Sequence, residues 1–141
     1  MKGLLAALAA GFFITLQGVA NTSISGAIGT WQAAALTQLT GFIGAVLLAL
    51  LMKDLKPRRL LEIKPIYGIG GAFAAIIIFG TVTAIQHVGV TLATSLTLLG
   101  QLGLTFLIEW KGWLGVPKTK MGPAQVAGMA MMVAGVILLS L

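Results

Sequence analysis

The sequence predicts an all-α integral membrane protein of five transmembrane helices. Three observations carry that prediction: a composition too apolar for a water-facing surface, long stretches without any ionisable side chain, and basic residues confined to short connectors. Hydrophobic residues make up 58% of the 141, charged residues 9%, and the mean hydropathy is +1.05. So few charges cannot cover a soluble domain. Residues 1–141 therefore read as one transmembrane domain in contact with the lipid bilayer.

Between Lys2 and Lys53 there is no Asp, Glu, Lys or Arg. That run is long enough for two spans of about 20 residues each, so the chain must fold back once. The polar cluster Asn21-Thr22-Ser23, followed by Ser25-Gly26 and Gly29-Thr30, predicts the turn, with Thr30 as N-cap and Trp31 as interfacial anchor. Helix 1 is expected over 3–25 and helix 2 over 31–52. The Ala-rich run after Lys2 is read as a span and not as a signal peptide, because four further spans follow it. Residues 53–65 hold most of the charge and two prolines, which places them outside the hydrocarbon. Helix 3 is expected over 66–86, a tight link at His87-Val88-Gly89 leads to helix 4 over 91–110, and a lysine-bearing connector over 111–122 leads to helix 5 over 123–141. Pro123 suits the first turn of that last helix.

With the N-terminus on one side, that side collects Lys2, then Lys53, Lys56, Arg58, Arg59 and Lys64, then Lys111, Lys118 and Lys120, which are all nine Lys and Arg of the chain. The turn at 21–30, the link at 87–90 and the C-terminus carry none. The positive-inside rule then puts the N-terminus in the cytoplasm and the C-terminus outside.

Helix 1 carries a stripe of small residues, Ala7, Gly11, Thr15, Gly18 and Thr22, suited to close helix contact. Beside it run Ala10, Ile14, Gln17 and Asn21, and amides at such depth are expected to face protein or a wet cavity. In helix 3, Gly68, Gly71 and Ala75 form a packing face with Gln86 on the same side. In helix 4, Thr91, Thr94, Thr97, Gln101, Thr105 and Glu109 recur at spacings of three and four, opposite Leu92, Leu96, Leu99, Phe106 and Trp110. A polar line across the membrane suits a permeation path. The competing account is that each threonine back-bonds to its own helix and Gln101 staples two helices together. Helix 5 presents Ala124, Ala127, Gly128, Ala134 and Gly135, a packing or dimerisation face. Gln17, Asn21, Thr94, Thr97, Gln101, Thr105 and Glu109 are thus the candidate substrate path, and Gly11, Gly18, Gly128 and Gly135 the candidate packing or dimer positions.

Other chemistries find little support. The net charge of +6 and pI near 10.2 do not mark a nucleic-acid binder, because the basic residues lie in short connectors and form no phosphate-tracking groove. The lone histidine, His87, reads as an interfacial hydrogen-bonder. Ser95 lacks the elbow pattern of a serine hydrolase, and no histidine or acid cluster suggests a metal site, so neither an enzyme nor a cofactor is expected.

The helices, once placed, resemble one repeat of the drug/metabolite transporter superfamily, and specifically its YdcZ-like branch of inner-membrane exporters. Gln17 and Asn21, Gln86-His87-Val88-Gly89 leading to Thr94-Ser95, Gly100-Gln101, Glu109-Trp110-Lys111-Gly112, and Gly128 with Gly135 carry the resemblance. The chain departs from the branch in having Glu109 where Asp is commoner and His87 where Asn is commoner. The resemblance implies a small-molecule or metabolite exporter working by alternating access as a dimer of five-helix halves in opposite orientations. The charge asymmetry argues for an oppositely biased paralogue as partner, the alternative being a parallel homodimer packed through helix 5. A non-transporting scaffold or regulatory subunit, or a lipid translocase component, is the alternative function.

Overall fold

Residues 1–53, 69–119 and 122–141 are described by the computed structural model, and every regular element among them is helical. The connector over 54–65, the first residues of the expected third helix including Gly68, and Lys120 of the second connector lie outside the described residues. The chain divides into two units, Met1–Gln86 and His87–Leu141.

In the first unit, α1 runs Lys2–Ile28 and α2 runs Thr30–Leu51. The turn between them is one residue, Gly29, at φ 95° and ψ 156°, a conformation essentially reserved for glycine. The expected turn at 21–30 is thus narrowed to its Gly29, and α1 extends three residues past the expected end at 25. Asn21, Thr22, Ser23 and Ser25 are helical because the helix satisfies their polarity: the hydroxyls of Thr22 and Ser23 donate to the carbonyls of Gly18 and Val19 at 2.8 and 3.2 Å. Thr30 is not an N-cap but the first residue of α2, and its hydroxyl pairs with that of Ser25 at 2.9 Å.

The third element, α3, spans Gly70–Lys111, and this is the main correction to the predicted architecture. Among the described residues four helices, not five, are long and apolar enough to cross a membrane, because the expected third and fourth helices are joined in one 42-residue element. The link expected at 87–90 is reduced to a single non-helical residue, Gly89, at φ 79° and ψ 167°. No loop intervenes, because a glycine alone can take a backbone conformation that interrupts the helix.

The part of α3 in the first unit packs on α1 and α2 through Ile78, Val82 and Ile85, on the side of the helix where Gly71, Ala75 and Gln86 are expected to pack. Ala34, Ile78 and Val82 form the buried core. Gly18 admits this contact: a Cβ there would lie 3.2 Å from Ile85 Cδ1 and 3.6 Å from Thr81 Cγ2. Polar ties fix the rest. Gln86 Nε2 donates to Ser25 Oγ at 3.2 Å, Gln38 Nε2 donates to the Gly71 carbonyl at 2.9 Å, and Trp31 stacks on Phe79 with ring centroids 4.5 Å apart.

In the second unit, α3 ends at Lys111, and Gly112 at φ 67° starts a short 3-10 turn, Trp113–Gly115, above which the Lys111 ammonium sits 4.6 Å from the Trp113 ring centroid. α4 spans Pro123–Ser140 with the proline in its first turn, as expected, and Gln125 Oε1 accepts from the Gly122 N–H at 2.8 Å. No residue of α4 is buried.

Candidate functional site

The one-residue turn sets the register of the α1–α2 hairpin. Asn21 and Thr37 are each eight residues from Gly29, so they stand level, about 12 Å along the helix axes from the turn. The Thr37 hydroxyl donates to Asn21 Oδ1 across the hairpin. Asn21 is only 4% exposed. Its Nδ2 has no partner among the described residues, and no fully buried side-chain polar atom there lacks one, so the amide nitrogen lies at an accessible surface. Asn21 lines a cleft of about 460 Å³, with Gln17, Thr37 and Thr40 as its other polar side chains and Ile24, Leu36 and Gly41 completing the walls. Gln17 is one turn deeper, level with Gly41. Gln17 and Asn21 also line a smaller void of about 60 Å³ between α1 and α3, bounded by Ile77, Ile78, Thr81 and Val82. The two predicted amides of helix 1 therefore share one site, and they separate two cavities.

Thr37 and Thr40 are site residues that the sequence did not single out. Their signal was present: Thr37, Thr40 and Gly41 recur at spacings of three and four along α2, as polar or small positions on an apolar helix.

In the second unit the predicted line is present as a helical face, and its hydroxyls behave as the competing account requires. Thr94, Thr97 and Thr105 donate to the carbonyls of Val90, Ala93 and Gln101 at 2.7, 2.9 and 2.8 Å. Thr94, Gln101 and Thr105 are exposed and Thr97 is half-buried. Glu109 is tied to the connector: the Thr119 hydroxyl donates to its carboxylate at 3.4 Å, and the Thr119 N–H donates to its backbone carbonyl at 3.2 Å. Of the four glycines expected at packing or dimer positions, Gly18 meets another helix, whereas a Cβ at Gly11, Gly128 or Gly135 would meet nothing within 4 Å. Among the described residues no cluster of His, Cys, Asp and Glu could hold a metal ion.

Comparison with known proteins finds a matching family. A family model described as "Putative inner membrane exporter, YdcZ" covers residues 3–138. No curated protein and no solved structure matches the chain.

Proposed function

The chain belongs to the YdcZ family of inner membrane exporters and is a multi-pass membrane protein, and on that premise we propose that it is one half of an alternating-access exporter of small molecules. The observation that carries this is the cleft with Asn21 and Gln17, because amides at that depth are costly against lipid and are accommodated by a polar cavity. Gln17 lies about 18 Å from the turn along α1, near the middle of a hydrocarbon layer of about 30 Å. In the second unit, taken by itself, the exposed positions Thr94, Gln101 and Thr105 are proposed as further polar lining of a substrate path, with Glu109 toward the cytoplasmic end of that helix.

Five crossings remain the proposed topology. A straight 42-residue helix would extend about 63 Å, twice the hydrocarbon thickness. Gly89 also adopts nearly the backbone angles of Gly29, the residue at which α1 gives way to α2. Broken at Gly89, the element supplies 19 and 22 residues, each enough for one crossing.

The working unit is proposed to be a dimer with an oppositely oriented paralogue. The bare faces of α4 at Gly128 and Gly135 favour the parallel homodimer as the second assembly. The native chain has no cysteine, so alternating access is tested by Gln17→Cys. An impermeant thiol reagent should reach it from either face of oriented vesicles containing the complete transport unit. Labelling from one face only, or from neither, overturns alternating access.

A further inference from the structure

Resting on the proposal that the α1–α2 cleft is a substrate site, we infer that the solute it takes is uncharged, with a carbonyl or similar hydrogen-bond acceptor on a largely apolar body. The acceptor requirement comes from Asn21. Asn21 lines the cleft and Thr37 occupies its Oδ1, so what this side chain has left to offer a solute is its amide N–H groups, which donate to an acceptor. Gln17, one turn deeper, adds a second neutral amide that can donate or accept. Ile24 and Leu36 offer apolar wall to the rest of the molecule.

The exclusion of charge comes from the whole chain. Nothing that lines the cleft ionises. Residues 3–52 contain no Asp, Glu, Lys, Arg or His, and residues 65–108 contain only His87. A charged solute would lose its hydration here and gain no counter-charge, whereas a neutral acceptor gives up little and recovers a hydrogen bond. A cleft of about 460 Å³ has the size of a small-molecule site.

Benzamide, benzoate and benzamidinium form a nearly isosteric series of neutral, anionic and cationic probes. Binding is read by saturation-transfer NMR on the chain in nanodiscs, with empty nanodiscs subtracted. Benzamide is expected to bind about tenfold or more tighter than either ion. Asn21→Asp at alkaline pH should move the preference to benzamidinium. If that variant does not fold, Gln17→Glu, on an exposed position of the same cleft, serves in its place. Equal binding of the ions, binding of none of the three, or an unchanged ranking in the acidic variant overturns the inference. Selective benzamide binding together with one-sided labelling of Gln17→Cys would overturn the exporter proposal and leave the neutral site standing. Two-sided labelling with no preference for benzamide would do the reverse.

Discussion

Gly11 and Gly18 lie on one stripe of α1, seven residues apart, yet only Gly18 has a neighbouring helix against it. Gly18→Leu must push Ile85 and Thr81 away and is expected to destabilise the fold by about 1–3 kcal/mol. Gly11→Leu should change stability by no more than about 0.5 kcal/mol. Unfolding of the purified chain in detergent, followed by tryptophan fluorescence, checks both, and equal losses would refute the assignment of Gly18 as the contact. The helix 4 line separates in the same way. Thr94, Thr97 and Thr105 already spend their hydroxyls on their own helix, so the triple valine variant should keep its stability. Gln101→Leu should keep the fold but lower export about tenfold or more if its amide meets the solute, as measured by flux. A residue type and spacing made the stripe legible in the sequence, because both follow from helical periodicity. They could not reveal where each hydroxyl bonds, since back-bonded and cavity-facing threonines have the same spacing.

The two helix breaks are the elements on which the architecture turns, and the sequence located one of them imperfectly. Polar residues usually mark a turn, but in an apolar helix Thr22 and Ser23 bond to the preceding carbonyls and the helix continues. A turn centred on residue 28, midway between the expected helix ends, would set Asn21 level with Ala35. The turn at Gly29 sets it level with Thr37. A shift of one residue therefore hid the partner of Asn21 and with it half of the cleft. Gly89, by contrast, lies inside the expected link, and only the absence of a loop around it was illegible. Both glycines occupy a backbone region that other residues enter at a cost of about 1–3 kcal/mol. Gly29→Ala and Gly89→Ala should each lose stability of that order in thermal unfolding. The alanine Cβ at 29 would also lie 2.6 Å from Gln32 Oε1, the end of a flexible side chain that can swing away at little cost. If Gly89→Ala unfolds at the wild-type temperature, the break is not held by glycine and the proposed second crossing loses its main support.

At the scale of the whole molecule, the number of crossings and the distribution of charge constrain each other. With four crossings and the N-terminus in the cytoplasm, Lys111, Lys118 and Lys120 would be outside. With five, all nine Lys and Arg are inside. The positive-inside rule therefore favours five. An impermeant thiol reagent added to intact cells should label His87→Cys, and should label Lys118→Cys only after the membrane is opened. The same bias bears on assembly. A chain that inserts both ways needs weak asymmetry, and nine to none is strong, so the proposed antiparallel unit requires a second chain with its basic residues on the opposite connectors. Purified alone, this chain should then insert in one orientation and show no two-sided labelling at Gln17→Cys, whereas co-expression with an oppositely biased five-helix relative should restore it. Two-sided access in the chain alone, with Lys118→Cys still protected in intact cells, would instead establish the parallel homodimer, with the bare α4 face around Gly128 and Gly135 as its contact. In that case Gly128→Leu should abolish both dimerisation and access, and the charge asymmetry would report orientation only.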